Sequence, residues 1–392
     1  MEEKGLKPIK LKDVLLSTAI GDICGSAYEF CPEKDIYKID LDNPLQKFTD
    51  DTVCTFACAE AILNDYKIET TLESRCQQHL NSGYGKLFWN WIISSKKEPY
   101  NSFGNGSAMR CSIAGWYANS LKEAEEIATK TAECTHNHPD GIKGAVAIAQ
   151  AIFLARCSND KMTIREEILD KYYPDWKEKD YWNIQPTYRF DATCEGSVPV
   201  ALICFLESTS FEDCLKKCIA TGGDADTIAA MACPIACAFY REIPDYLMEK
   251  AKAMLPKWML MVNDDLNRYY DYLDMKEHEK YEEEHPEEET GESVDDNESE
   301  EGWTPLGQKC YIFDKESGEI LQIIYGYSFP QEGERITIWN GPADKQTFEN
   351  YVVKSRILGI NSQNGSCCWN LYVEHLGTSP ANIAEDNTNT KD

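Results

Sequence analysis

The sequence lacks any charge-free apolar run approaching 18 residues, so no transmembrane helix is expected. Near its start, a short apolar patch from Val14 to Leu16 lies between Asp13 and Asp22 with no small-residue cleavage site after it, and no signal peptide is expected. Basic residues are also scarce, with 39 Lys and Arg against 67 Asp and Glu and a formal net charge of −28. Nucleic-acid backbones and anionic membrane surfaces would repel such a chain, so neither is expected as a partner.

Zinc-type cysteine spacing is absent as well. The chain has 17 cysteines but no Cys-x-x-Cys, and it has only 6 histidines. The cysteine count is odd and most of these residues sit among apolar or small neighbours, where a thiol behaves as a small hydrophobe. The sequence therefore predicts a reducing, cytoplasmic location. Structural zinc is not expected, although three pairs have helical spacing: Cys54 and Cys58, Cys214 and Cys218, and Cys233 and Cys237.

Charge and periodicity divide the 392 residues into four parts. Residues 1–275 show mostly helical periodicity, and the overall hydrophobic content of 42% is enough for a sizeable core. Residues 276–302 are predicted to be a disordered acidic linker, because residues 282–301 contain 12 Asp or Glu and no Lys or Arg. Residues 303–377 are predicted to form a small β-rich or α+β module of unknown role, and residues 378–392 a disordered tail.

Within the helical part, helices are predicted from Asp51 to Leu63 and from Ile142 to Leu154. Pro234 is expected to kink or delay the helix over residues 228–240, because its nitrogen has no hydrogen to donate to the preceding turn. Residues 172–190 form an aromatic-rich interruption. They are expected either to pack onto the body of the protein or to line the mouth of a pocket.

Two short acidic clusters lie far apart, each just before an apolar helical run. They are Phe48-Thr49-Asp50-Asp51-Thr52 and Gly222-Gly223-Asp224-Ala225-Asp226-Thr227. One interpretation is helix capping, because a short side-chain oxygen satisfies the free amide groups at a helix start. Capping does not need a second carboxylate beside the first, and the repulsion between neighbouring acids is most naturally offset by a cation. Oxygen ligands without cysteine or histidine favour magnesium or manganese. Gly222 and Gly223 would then let the backbone approach a ligand closely.

Three further segments could complete such a site. They run from Gly21 to Phe30, from Ser102 to Arg110 and from Thr135 to Pro139. The first presents Glu29 on a predicted loop, where the alternative is a solvated glutamate. The second contains a Gly-Asn-Gly turn before a helix, which is either an ordinary turn or a phosphate-binding loop. The third contains His136 and His138, and the alternative for each is a local hydrogen-bonding role.

The order of these segments resembles that of the ADP-ribosylglycohydrolase family, in particular its bacterial branch. The motifs cover about residues 12–250 and read Gly-Asp-x-x-Gly-Ser-x-x-Glu, Thr-Asp-Asp-Thr, Gly-Asn-Gly-Ser-Ala-Met-Arg, Thr-His-x-x-Pro and Gly-Gly-Asp-Ala-Asp-Thr. The stretch from Thr193 to Pro199 and the pair Ile243-Pro244 look like the bacterial branch. The resemblance implies an all-α fold that holds two Mg²⁺ or Mn²⁺ ions in a cleft.

By motif position, the resemblance also implies site residues. The metal ligands would be Thr49, Asp50, Asp51, Asp224, Asp226 and Thr227. Catalytic roles would fall to Glu29, as an acid/base on a mobile loop, and to Asp51 and Asp226. The substrate-binding residues would be Phe103, Gly104, Asn105, Gly106, Ser107 and His136.

The predicted function is therefore metal-dependent hydrolysis of the glycosidic bond between ADP-ribose and an acceptor, with a modified protein side chain as the expected acceptor. Three alternatives stay open at this point. They are a non-catalytic ADP-ribose-binding protein, a crystallin-like structural protein and a magnesium-dependent hydrolase of another nucleotide-like substrate. The motifs do not indicate the acceptor, the linkage or the oligomeric state.

Overall fold

The structure is a computed structural model that describes residues 11–157 and 160–284, together with the backbone of five strands between residues 308 and 380. The chain divides into two compact units, Met1–Tyr270 and Asp271–Asp392. The described residues of the first unit form helices and contain no strand, in agreement with the predicted all-α fold. Among the described helices, none combines the length and the apolar character that crossing a bilayer requires.

The helices before residue 160 include the two predicted from periodicity, each a few residues longer than predicted. They are α1 (Leu16–Ser26), α2 (Asp50–Asn64), α3 (Ile68–Gln78), α4 (Lys86–Ile93), α5 (Gly106–Met109), α6 (Ser112–Tyr117), α7 (Leu121–Glu133) and α8 (Pro139–Cys157). His138, at the start of α8, accepts a hydrogen bond at Nδ1 from the amide of Asp140 (3.1 Å), which is the local structural role left open for it.

The later helices include α13, which packs against α1, α8, α11 and α12. They are α9 (Lys161–Ile164), α10 (Tyr181–Ile184), α11 (Cys194–Leu206), α12 (Phe211–Thr221), α13 (Ala225–Tyr240), α14 (Asp245–Met254) and α15 (Lys257–Glu284). A π-helix (Arg165–Asp170) and two 3₁₀ turns (Ile36–Lys38, Pro174–Trp176) complete this set.

Helix α13 continues through Pro234, so the prediction that this proline delays the helix is wrong. Every residue from Ala225 to Ala238 is buried. Packing of this segment on four neighbouring helices outweighs the one backbone hydrogen bond that a proline removes, a loss of about 3 kcal/mol in an isolated helix.

Helix α15 runs nine residues past the predicted domain boundary at 275, so residues 276–284 do not begin the linker. The sequence of this extension is rich in Glu and Lys, which are strong helix formers even where little apolar surface is buried. The remainder of the predicted linker and the tail at 378–392 lie outside the described residues, except for the last residues of one strand.

The second unit contains five strands, β1 (Gln308–Asp314), β2 (Ile320–Gly326), β3 (Arg335–Asn340), β4 (Thr347–Ile360) and β5 (Cys367–Pro380). Their order in the sheet is β2-β1-β5-β4-β3. Neighbouring strands are antiparallel except for β1 and β5, which are parallel. That this stretch is an independent module stays a prediction.

Two glycines allow α1 to pack directly on the first turns of α13. A Cβ atom on Gly21 would lie 2.4 Å from the carbonyl oxygen of Ala229, and one on Gly25 would lie 2.4 Å from the Cα of Asp226. No side chain fits at either distance. Asp22 on α1 is therefore held close to Asp226, although 204 positions separate them in the sequence.

Candidate functional site

A cavity of about 530 Å³ opens where α1, α2, α5 and α13 meet. Eleven of the predicted site residues line it: Glu29, Thr49, Asp50, Asp51, Gly104, Asn105, Gly106, His136, Asp224, Asp226 and Thr227. Two predicted residues do not line it. Ser107 is buried behind the wall and its hydroxyl donates to the carbonyl of Gly141 (2.7 Å), while Phe103 is half exposed and meets the ring of His138 edge-on.

The start of α2 is fixed by a buried carboxylate that sequence reasoning did not place in the site, Asp22. One of its oxygens accepts from the amides of Thr49 (2.8 Å) and Thr52 (3.1 Å) and from the Thr52 hydroxyl (2.5 Å). The other lies 2.7 Å from the Thr49 hydroxyl. With this many donors, Asp22 orients the turn that carries Asp51. The available signal was that Asp22 is the only charged residue in α1.

Capping explains part of the first acidic cluster and less of the second. Thr49 is the N-cap of α2, and its side chain accepts from the amide of Asp51. Asp224 occupies the N-cap position of α13 but its side chain makes no capping bond. It accepts instead from the side-chain amide of Asn105 (2.7 Å), across the cavity wall. The second cluster therefore has a role other than helix initiation.

The acidic side chains fall into two groups that share Asp226. One contains Asp22, Asp51 and Asp226, the other Glu29, Asp224 and Asp226, and in each the carboxylate oxygens lie within 4.8 Å of one another. The Thr227 hydroxyl donates to Asp51 Oδ2 (3.2 Å), which ties the start of α13 to that of α2. Asp50 also lines the cavity but belongs to neither group, so its role as a ligand stays a prediction.

Burial raises the pKa of every acid in the site, and neighbouring carboxylates of the site further raise the pKa values of Glu29, Asp50, Asp51 and Asp226. The pKa is raised to about 6 for Asp22, to about 7 for Glu29 and to about 8 for Asp50. The pKa values of Asp51 and Asp226 are raised well above the ordinary value, and that of Asp224 is also raised. So many buried acids are costly unless protons or cations compensate them.

The donor set fits a hard divalent cation. Among the residues that the structure describes, no Lys, Arg or His forms an ion pair with any of these six acids. Asp51 Oδ1 is buried and has no hydrogen-bond partner. An unpartnered carboxylate oxygen among other carboxylates is a ligand position for Mg²⁺ or Mn²⁺. The candidate metal groups in the described part of the chain consist of carboxylates alone.

A second part of the cavity lining, the donor wall, carries N–H groups, although the amides of Gly104 and Asn105 already donate to Ser102 Oγ (3.2 Å) and to the carbonyl of Ala192 (2.8 Å). It contains the turn Gly104-Asn105-Gly106, the buried His136 and the buried Arg110. Burial and the charge of Arg110 lower the pKa of His136 well below its usual value, so the imidazole is neutral. A Cβ atom on Gly106 would lie 3.1 Å from His136 Nε2, which explains the glycine there.

Two further predictions concern the glycines Gly222 and Gly223 and the aromatic residues between positions 172 and 190. Gly222 and Gly223 adopt left-handed backbone conformations (φ 68° and 72°), which explains both glycines without a ligand. They do not line the cavity, and their approach to a ligand stays a prediction. In the aromatic-rich interruption, Tyr173 and Tyr181 are buried, whereas Phe190 lines the cavity. Both expectations for that segment therefore hold, each for different residues.

Comparisons with known proteins agree with this geometry. Two ADP-ribosylhydrolase ARH3 proteins are similar to the chain. The one from Gallus gallus is 23% identical over 50% of this chain and 70% of its own length, and the one from Xenopus tropicalis is 24% identical over 59% and 87%. A solved structure, an ADP-ribosylglycohydrolase-related protein complex, shares the fold, with a TM-score of 0.53, 20% identity and coverage of 65% of this chain and 96% of that chain.

The family model for ADP-ribosylglycohydrolases matches residues 9–281, which include every residue of the cavity wall. Asp22, Glu29 and the two acidic clusters all lie within this span. The chain belongs to the ADP-ribosylglycohydrolase family.

Proposed function

We propose that this protein is a metal-dependent hydrolase that cleaves the glycosidic bond between ADP-ribose and an acceptor and so reverses ADP-ribosylation. One observation supports this most directly. Asp226 belongs to two groups of carboxylates at once, and the cavity that it lines is also lined by the N–H-bearing side chains of His136 and Arg110. ADP-ribose has a ribose diol that can bind metal ions and a diphosphate that can accept hydrogen bonds. The diol therefore matches the acidic residues with their metal ions, and the diphosphate matches the N–H groups.

The part of the cavity lining that carries the six acids, called the acidic wall below, would hold the cations. Asp51, Asp224 and Asp226 supply carboxylates, Thr49 and Thr227 supply hydroxyls, and Asp50 is a further ligand in the proposal. A pair of Mg²⁺ or Mn²⁺ ions, when bound, supplies Lewis acidity that lowers the pKa of water at the site. The ions also offset the negative charge of these carboxylates, which would otherwise repel a diphosphate. Binding of ADP-ribose is therefore expected to require metal.

Glu29 is the proposed acid/base. It is half buried, lines the cavity beside Asp224 and Asp226, and its pKa is raised by burial and by the carboxylates of Asp224 and Asp22. A carboxyl group whose pKa lies near neutrality can both hold and release a proton at working pH. In this proposal Glu29 takes a proton from the attacking water or gives one to the departing acceptor. Asp22 contributes indirectly, because it fixes the turn that carries Thr49 and Asp51.

The donor wall would bind the rest of the ligand. The turn at Gly104 to Gly106 brings backbone close to the cavity, and His136 stands behind it as a neutral imidazole. The side-chain amide of Asn105 is committed to Asp224, so Asn105 couples the two walls. Distal ribose and diphosphate oxygens are the acceptors expected on this wall.

The test uses the full chain with Mg²⁺ and a panel of defined substrates carrying ADP-ribose on arginine, serine and other acceptors. Release of ADP-ribose from at least one linkage is expected, and the Asp226→Asn variant should release none. Calorimetry on the same samples measures ADP-ribose binding. Tight binding without release from any linkage would contradict the proposal and favour a non-catalytic reader. No binding with metal demonstrably bound would favour a structural role or another substrate.

A further inference from the structure

We propose that Arg110 and Thr135 are positioning residues that hold the proton of His136 on Nε2, so that this imidazole is a dedicated hydrogen-bond donor toward an anionic group in the cavity. The inference rests on the proposed function in one respect: it identifies the anion as the diphosphate of ADP-ribose. The tautomer itself is a property of the protein alone. It can therefore be tested whether or not ADP-ribose binds.

The three side chains form a continuous hydrogen-bonded chain. Nη2 of Arg110 donates to Oγ1 of Thr135 (2.7 Å), and this oxygen lies 2.7 Å from Nδ1 of His136. All three residues are buried, with exposures of 1%, 0% and 5%. They come from the end of α5 and from the turn after α7. This hydrogen-bonded chain, called the relay below, therefore depends on the tertiary contact between these segments.

The direction of the protons in this chain follows from what each group can do. A guanidinium has five N–H donors and no acceptor, so Arg110 must donate to Thr135. The Thr135 hydroxyl then has one proton to give. Tyr100 and Cys134 also lie beside this hydroxyl, but a phenol oxygen and a thiol are weaker acceptors than an imidazole nitrogen. Hydrogen bonds that run in one direction polarise each other, and the charge of Arg110 favours donation outward to Nδ1.

A lone pair on Nδ1 leaves the proton of the neutral imidazole on Nε2. That atom is the one closest to the Gly104–Gly106 turn, since Cβ atoms on Gly106 and Gly104 would lie 3.1 and 3.6 Å from it. His136 lines the cavity at this turn. The absence of side chains on both glycines leaves space in front of the Nε2–H group for a ligand atom.

The charge of Arg110 gives the relay a reason to favour anions. In the described part of the chain, no carboxylate pairs with this buried guanidinium, whose Nε and Nη2 atoms donate to the carbonyl of Thr131. A buried cation without a counter-charge is costly, and an anion in the cavity would offset part of that cost. Arg110 also holds the last turn of α7 through Thr131, so its own replacement would mix structural and functional effects. Replacing Thr135 instead leaves the contact between Arg110 and α7 in place, so it tests the functional effect without the structural one.

The experiment is NMR of the full chain labelled with ¹⁵N in histidine, using long-range correlations that distinguish protonated from unprotonated ring nitrogens. His136→Gln identifies the His136 signal by its disappearance. In the ligand-free wild type, Nε2 is expected to carry the proton and Nδ1 to be unprotonated. Thr135→Ser keeps the hydroxyl and should keep this tautomer. Thr135→Val keeps the size but has no hydroxyl, and it should give a mixture of tautomers.

Calorimetry with Mg²⁺ then measures ADP-ribose binding by the same variants. A mixture of tautomers still contains the Nε2-protonated form, so binding in Thr135→Val should weaken by the inverse of the fraction of that form, about two- to fivefold, with Thr135→Ser close to the wild type. Thermal unfolding checks that each variant is folded. If Thr135→Val does not fold, the tautomer measured in the wild type still tests the proposal.

Two results would overturn the relay: a proton on Nδ1 in the wild type, or an unchanged tautomer in folded Thr135→Val. If the tautomer and its response to Thr135 are as predicted but no protein binds ADP-ribose, the relay stands and the proposed function fails.

Discussion

The two walls of the cavity are built on opposite electrostatic principles. The acidic wall brings together six carboxyl groups that make no ion pair within the described residues, and burial makes each of them harder to ionise. The donor wall holds a buried guanidinium and a neutral imidazole, also without a carboxylate partner of their own. The negative charge of one wall therefore has to be offset by protons or cations, and an anion would offset the buried positive charge of the other. A ligand that satisfies both must carry metal-binding oxygens at one end and negative charge at the other.

The largest effect is expected from removing the residue that the two carboxylate groups share. Asp226→Asn keeps the size of the side chain but deletes a charge from both groups, so metal affinity and hydrolysis should fall together, with a loss of kcat/KM of about 10⁴-fold or more. Metal titration and initial rates measure this. Asp245→Asn is the matched control, because Asp245 is an exposed acid in the first turn of another helix. Wild-type metal affinity in Asp226→Asn would remove the acidic wall from the mechanism.

The next effect should separate chemistry from binding. Glu29→Gln cannot exchange a proton, and kcat is expected to fall about 100- to 1,000-fold, the usual contribution of a general acid/base. Affinity for ADP-ribose should change by less than about threefold, since the proposed metal ligands and the donor wall are unchanged. Glu33→Gln, on the same loop, is the control. An unchanged kcat would show that Glu29 is not the acid/base.

A smaller loss is expected from the residue that orients the acidic wall. Asp22→Asn replaces an acceptor oxygen by an amide group facing the donors of Thr49 and Thr52. Metal affinity should weaken about 10- to 100-fold, as is typical when a group supporting a ligand is changed. Isothermal titration with Mn²⁺ measures it, and Asp42→Asn, at an exposed acid, should match the wild type. A Mn²⁺ affinity in Asp22→Asn equal to that of Asp42→Asn would make Asp22 a purely structural residue.

The smallest effect concerns stability without metal. Because the pKa values of Asp22, Glu29 and Asp50 are raised in the folded state, that state binds more protons than the unfolded one above pH 4. The contribution of these groups to stability therefore falls as pH rises through their raised pKa values of about 6 to 8.

Urea unfolding in EDTA at pH 5, 6.5 and 8 measures this loss, and excess Mg²⁺ should reduce it. Asp226→Asn removes one of the repelling charges and should be more stable than the wild type in EDTA at pH 8. If both proteins lose the same stability between pH 5 and pH 8, the acids of the cavity are not the source of the pH dependence.

Local sequence patterns predicted much of this molecule. Helices α2 and α8 follow from apolar spacing, and Thr49 was recognised as a possible cap of α2, whereas α8 begins at Pro139, three residues before the predicted start at Ile142. The two acidic clusters were recognisable because a cap does not need two carboxylates. The extra turns of α15 were missed because a charged segment resembles a linker in composition, while Glu and Lys also favour helices.

The contribution of Asp22 could not be read from local pattern. It lies in an apolar helix far from both clusters, and only the close packing at Gly21 and Gly25 brings it beside Asp226 and beneath Thr49. The same holds for Arg110, which reaches His136 only through a contact between two separate segments. Contacts of this kind depend on distance in space, for which sequence separation is no guide.

The sequence by itself determined which chemical groups this protein has available: paired carboxylates, threonine hydroxyls, a glycine turn and a histidine, each at the start or end of a helix. Only the tertiary structure decided that they share one cavity, that Asp226 joins two groups of acids, and that Asn105 links the acids to the donor wall. The physical reason is that backbone propensities act over a few residues, whereas the energy of a buried charge depends on every group around it.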